Sequence, residues 1–195
     1  MAKNLIGNKW LDSTDGKVIT ITNPATGAVI DTVPESTQKD CDMAVQVAKK
    51  AQKLWAKKPL HERAAILMKF VELVERDKDI LAKLLSDETG KPITEAYGEI
   101  ANVSIGVPAF CEKAKHEYGN MIPAGQEKGQ ENTLQYTVQA PLGVVVAIIP
   151  FNFPSDIFIN KVPPALLMGN SVILKPANVI SYGHVDFEGK NKIYK

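Results

Sequence analysis

The feature that most constrains this 195-residue chain is the stretch 142–175, LGVVVAIIPFNFPSDIFINKVPPALLMGNSVILK. Two β-branched runs, 144–149 and 171–174, bracket a segment that turns at Pro150 and carries a helical pattern over about 155–168. Strand, helix, strand in that order predicts a parallel βαβ unit with both sheet faces covered, because parallel strands need a long crossover connection. The expected class is therefore α/β. Asn152 follows the first strand and Lys175 ends the second, and open α/β sheets place their ligands beyond the carboxyl ends of strands. Everything before Leu142 then becomes scaffold for this unit.

Upstream, 5–10 and 17–23 alternate apolar and polar residues on either side of Asp15-Gly16, which predicts a hairpin or two edge strands. Asn23-Pro24-Ala25-Thr26-Gly27 is a turn, and 28–33 a third short strand. From Thr37 the period lengthens: Met43, Ala44, Val47, Ala48, Ala51 and Leu54 predict a helix over 40–56, with Trp55 closing its apolar face. Pro59 breaks it, and helices follow over 62–76, 78–88 and 93–117. Thr89-Gly90-Lys91-Pro92 supplies a stop, with glycine fit for a C-terminal cap and proline just beyond. Pro108 is placed to kink the last helix. Residues 121–130 lack periodicity and are expected to form a surface loop, whereas 132–139 alternates Leu134, Tyr136 and Val138 as a half-exposed strand outside the central sheet.

Charge excludes some functions. Lysine and arginine number 23 against 22 aspartate and glutamate, with no dense basic run, so no footprint for nucleic acid or a membrane surface is present. A small-molecule partner is expected. No apolar run approaches the roughly 18 residues of a membrane span, and the first residues have no signal-peptide core. Cys41 and Cys111 lie far apart without a CxxC pattern, which favours a reducing, cytoplasmic setting and argues against a disulfide framework. His61, His116 and His184 share no ligand spacing, so no metal site is expected.

As chemistry alone, Asn152 can donate its amide to a developing oxyanion or can bond its own turn. Lys175 can meet a ribose or phosphate, or stay a solvated lysine ahead of Pro176. Cys111, beside Phe110 on a helix, suits a small buried hydrophobe better than a nucleophile. Cys41 starts a helix, whose dipole favours thiolate, but Asp40 and Asp42 oppose it.

A more specific signal comes from motifs taken together. PLGVVVAIIPFNFP followed by PPALLMGNSVILKPA resembles the aldehyde dehydrogenase superfamily, and TNPATGAVI, AQKLWA, HERAAIL and ETGKP stand upstream in that family's order. The resemblance spans about 5–177. It implies a partial doubly wound, Rossmann-like parallel sheet with N-terminal strands and helices over 1–131, a bridging strand over 132–141, the cofactor-binding βαβ unit over 142–177 and an atypical tail over 178–195. In that family a cysteine thiolate attacks an aldehyde, hydride passes to NAD or NADP, and water releases the carboxylic acid.

By motif position, the resemblance implies that Asn152 stabilises the oxyanion, that Ile149, Pro150 and Phe151 line the cofactor, and that Lys175 binds the adenosine ribose. Asn178 falls where many members carry a ribose-binding glutamate, and the neutral amide would lessen repulsion of a 2′-phosphate. Phe153 and Ile157 resemble residues of the aldehyde tunnel. The strand over 132–139 resembles the bridging sheet through which members form homo-oligomers. The family's nucleophilic cysteine and general-base glutamate have no counterpart, since Cys41 and Cys111 match no motif. The chain resembles an N-terminal portion, expected to be inactive alone; a noncatalytic nucleotide-binding or subunit-association module is the alternative.

Overall fold

The fold is seen in a computed structural model that describes residues 2–178. The chain opens with two antiparallel hairpins. In the first, β1 (Asn4–Ile6) pairs with β2 (Lys9–Leu11) across Gly7 and Asn8, whose φ values are 59° and 60°. Positive φ at both central residues is the twist-matched geometry of a two-residue hairpin loop. The alternating run 5–10 is therefore split by a turn and is not one strand. The second hairpin pairs β3 (Val18–Thr22) with β4 (Val29–Pro34), and its loop is held by Asn23 Oδ1 accepting from the N–H of Ala25 at 2.9 Å and of Thr26 at 3.2 Å. Asp15-Gly16 links the two hairpins and forms neither.

Four helices follow at the expected places: α1 (Gln38–Trp55), α2 (Leu60–Arg76), α3 (Lys78–Thr89) and α4 (Ile93–Ala114). Thr37 and Asp40 form a reciprocal capping box at the start of α1. The buried Asp40 carboxylate also accepts from Thr14 N–H, tying the helix to the hairpin linker. These bonds, chiefly that from Thr37 N–H, hold its pKa below the usual carboxylate range. Gly90 ends α3 with φ 74°, the left-handed cap expected of Thr-Gly-Lys-Pro. Helix α4 stops at Ala114 rather than at residue 117. Its buried face, with Ala96, Ile100, Val103, Val107 and Cys111, packs on Leu67, Phe70, Val71 and Val74 of α2 and on Ala82 and Leu85 of α3.

The segment expected to be a surface loop contributes a strand after all. Short β5 (Met121–Ile122) pairs antiparallel with β6 (Gln135–Tyr136), so the alternating run 132–139 is strand over two residues only. Thr137 N–H donates to Asn120 O at 2.9 Å beside this ribbon. Beyond it comes the βαβ unit: β7 (Val144–Ile148), α5 (Pro154–Leu167) and β8 (Ser171–Lys175). The strands are parallel and in register from Val144 opposite Ser171 to Ile148 opposite Lys175. One face of β7 is covered, with Ala147 and then Ile149 buried. The other is open, contrary to expectation: Val146 and Ile148 stay 57% and 64% exposed.

Upstream motifs brace this unit. Trp55 Nε1 donates to Leu166 O at 2.8 Å and Gln52 Nε2 to Gly169 O at 3.1 Å, so α1 grips the turn between α5 and β8. The buried Asn170 accepts from Gly143 N–H at 2.9 Å, fixing where β7 begins relative to β8.

Candidate functional site

The carboxyl ends of β7 and β8 lie side by side because the strands are parallel, and Ile149 N–H extends the ladder by donating to Lys175 O at 3.0 Å. After Ile149 the chain leaves the sheet through Pro150, Phe151 and Asn152, all exposed, and enters α5 at Pro154. Proline suits that first helical position because its missing N–H would lack an intrahelical partner anyway. Asn152 is thus suspended between a buried strand end and a helix start. Among the described residues its side-chain amide makes no hydrogen bond, so the turn-bonding role open to it in sequence does not consume it.

What fixes the loop is a pair the sequence pattern did not single out. Helix α5 has no side-chain cap from its own N-terminal residue, Phe153. Instead Glu99 of α4 presents Oε1 to the N–H groups of Ser155 at 2.7 Å and Asp156 at 3.4 Å. A carboxylate at that end satisfies two orphan donors and complements the helix dipole. Its other oxygen is paired with Lys91, and the two side chains are only 2% and 10% exposed. Lys91 Nζ donates onward to Asn152 O at 3.0 Å and sits 4.5 Å from the centre of the Phe153 ring. One ammonium therefore touches two parts of the strand-to-helix turn, the Asn152 carbonyl and the Phe153 ring, and joins them to α4 through Glu99.

At the end of β8, Lys175 is exposed and its Nζ donates to Asn178 Oδ1 at 2.9 Å and to Pro176 O at 2.8 Å. An ammonium and an amide side by side offer donors and an acceptor, a set that suits vicinal hydroxyls. Phe153 is exposed and Ile157 half-buried one helical turn on, with Ile157 N–H bonded to Phe153 O. The six strand-end candidates Ile149, Pro150, Phe151, Asn152, Lys175 and Asn178 thus belong to the carboxyl end of one small sheet. His184 lies outside the described residues. Among the described residues no cluster of histidine, cysteine, aspartate and glutamate could hold a metal ion.

Neither cysteine belongs to these strand ends: Cys41 is on α1 and Cys111 on α4. Cys111 is buried in the helical core, and burial pushes its thiol pKa up, away from thiolate. Cys41 is exposed in the first turn of α1. A cleft of about 400 Å³ opens elsewhere, lined by Leu60, Arg63, Tyr118, Pro141 and Met168. Pro141 and Met168 precede β7 and β8, so this cleft lies toward the amino ends of the strands, opposite the candidate site.

Comparison with known proteins gives this geometry a family. The sequence profile of the Aldehyde dehydrogenase family matches residues 10–182. The chain belongs to that family. Its match runs past Ala177, into the tail that the motifs left unaligned. A glutarate-semialdehyde dehydrogenase of Pseudomonas putida is 40% identical over 177 residues, covering 91% of this chain and 36% of that protein. The NADP-dependent succinate-semialdehyde dehydrogenase of Escherichia coli is 36% identical over 174 residues, 89% of this chain and 35% of its own. The chain thus spans little more than a third of the length of these relatives.

Among solved structures, an NADP-dependent glyceraldehyde-3-phosphate dehydrogenase from Bacillus halodurans, complexed with NADP, superposes with a TM-score of 0.88 at 35% identity. That superposition covers 91% of this chain and 38% of the other. The α/β architecture is that of aldehyde dehydrogenase nucleotide-binding domains. Family motifs distant in sequence also meet in space: a Cβ on Gly90 of ETGKP would come within 2.8 Å of Pro24 Cγ of TNPATG. Glycine is required there twice over, by its positive φ and by that approach.

Proposed function

We propose that residues 142–178 form the cofactor side and the oxyanion donor of an active site that oxidises an aldehyde to a carboxylic acid with NAD or NADP. The observation that carries this reading is the Asn152 side-chain amide, which has no hydrogen-bond partner among the described residues and stands on a turn whose Asn152 carbonyl is held by Lys91. As a nucleophile adds to an aldehyde, the carbonyl oxygen gains negative charge, and a preorganised amide N–H offsets it by roughly 3–4 kcal/mol. The nicotinamide cofactor supplies the hydride acceptor. Lys175 and Asn178 would hold its ribose hydroxyls, Ile149, Pro150 and Phe151 would line it, and Phe153 and Ile157 would line the approach of the aldehyde.

The neutral Asn178 supports binding of NADP as well as NAD, because a carboxylate there would repel a 2′-phosphate. Calorimetric titration of the chain with each cofactor tests both points. Lys175→Met is expected to weaken binding about tenfold or more, the weight of one charge-assisted hydrogen bond. Equal affinity of variant and wild type would remove Lys175 from the site, and strict preference for NAD would sink the Asn178 argument.

A second reading, association with further copies through the bridging strand, is favoured by the β5–β6 ribbon. Leu134, Tyr136, Val138 and Met121 are all exposed on or beside it, and apolar clusters of this kind mark interaction surfaces. Light scattering is expected to give a mass above that of one chain, reduced by the double change Leu134→Glu and Val138→Glu. A monomeric wild type would exclude this surface as a homo-oligomer contact. The near balance of charges supports neither a nucleic acid nor a membrane partner, and no described helix is long and apolar enough to cross a membrane. Two unpaired cysteines fit a reducing, cytoplasmic setting.

A further inference from the structure

We infer that Lys91 and Glu99 are positioning residues for Asn152, a clamp that holds the strand-to-helix turn in the geometry the oxyanion donor needs. The inference rests on the reading of Asn152 given above, but its physical basis is separate. Asn152 is exposed and flanked by exposed Phe151 and Phe153, so side-chain packing on its neighbours does not fix it. The β7 ladder ends at Ile149, and regular helical bonding begins only when Ile157 N–H reaches Phe153 O. Between these points the backbone has, among the described residues, two external anchors, the Lys91 bond to Asn152 O and the Glu99 bonds to Ser155 and Asp156 N–H. Both anchors come from one buried ion pair, so the carbonyl before the turn and the amides after it are fixed relative to each other.

Chemistry explains the choice of groups. Lysine supplies three donors, and here a carboxylate and a carbonyl accept while the Phe153 ring face takes the remaining positive edge. Glu99 uses one oxygen for the ammonium and the other for the helix start. Lys91 is placed for this because Gly90 turns the chain sharply out of α3 just before it. The clamp ties ETGKP to PFNFP across 61 positions of sequence.

Amide hydrogen exchange followed by NMR on the 195-residue chain tests the clamp. In wild type the Ser155 amide, which as a first-turn helical N–H would ordinarily have only water as partner, is expected to be strongly protected. Lys91→Met is expected to accelerate exchange at Ser155, Asp156 and Ile157 by about tenfold beyond any acceleration of the slowest amides in α2 and α4, and Lys91→Arg to restore much of it. An unprotected Ser155 amide in wild type overturns the clamp even if the variants fail to fold. So does equal acceleration everywhere, which is loss of stability without positioning. A loosened turn with unchanged NADP affinity upholds the clamp and counts instead against Ile149, Pro150 and Phe151 as the cofactor lining.

Discussion

Glu99→Ala is expected to lower the unfolding free energy by about 3–5 kcal/mol, because it removes one partner of a buried ion pair and leaves the other uncompensated. The change strands the Lys91 ammonium, whose side chain is 10% exposed, and leaves the Ser155 and Asp156 amides without their acceptor. Glu99→Gln separates the two effects. Its amide oxygen can still accept from Ser155, so the helix start stays capped, while the charge facing Lys91 is lost. The glutamine variant should therefore fall between wild type and alanine. Urea denaturation read by far-ultraviolet circular dichroism measures all three, with the m-values checked for constancy. A loss below about 1 kcal/mol for alanine, the range of an exposed pair, would mean that water reaches the site and that burial of the pair is not sustained in solution.

The same pair marks where the sequence stopped being legible. The βαβ unit could be predicted because each part has a strong local signature: β-branched runs, prolines at the turn and a glycine before the second strand. Helices α1 to α4 were similarly marked by three- and four-residue spacing, and Gly90 closes α3 where the Thr-Gly-Lys-Pro stop put it. Glu99 left a fainter mark. It occupies a core-facing register of α4, three residues after Ala96 and four before Val103, where an acid is costly unless it has partners. An acid in that register is a request for a partner, but nothing local names Lys91 or the α5 amides, which are distant in sequence.

Other differences have their own causes. The Gly7-Asn8 pair was a usable hairpin signal hidden inside an alternating run, since each flanking strand is only three residues long. The β5–β6 ribbon pairs so few residues that no periodicity can announce it. Covering both faces of the parallel sheet fails within the described residues because only two strands and their packed helices are present. Val146 and Ile148 keep the apolar character of a buried strand on an open face. That mismatch between residue type and exposure agrees with the chain's span of little more than a third of its relatives.

By themselves these 195 residues are expected to form no NADH or NADPH from succinate semialdehyde, glutarate semialdehyde or glyceraldehyde 3-phosphate above the uncatalysed background. The argument is one of nucleophiles. The covalent route that the family resemblance implies for aldehyde oxidation needs a thiolate, and a thiol is activated by exposure together with a nearby base, cation or helix N-terminus. Cys111 has the opposite setting, buried among Val107, Ala114 and the α2 side chains with its pKa raised. Cys41 is exposed, but it stands between two acids, Asp40 and Asp42, and among the described residues no side chain hydrogen-bonds to its thiol. An oxyanion donor without a nucleophile has little charge to stabilise, because the oxyanion forms only as the new bond does. Where a nucleophile has been removed from a preorganised hydrolase site, the rate falls by about six orders of magnitude. The measurement is absorbance of reduced nicotinamide with pure chain, each aldehyde and each cofactor, alongside cofactor binding by calorimetry. Binding without turnover is the expected pair of results. Turnover abolished by Cys41→Ser or Cys111→Ser would overturn the argument and identify which thiol acts.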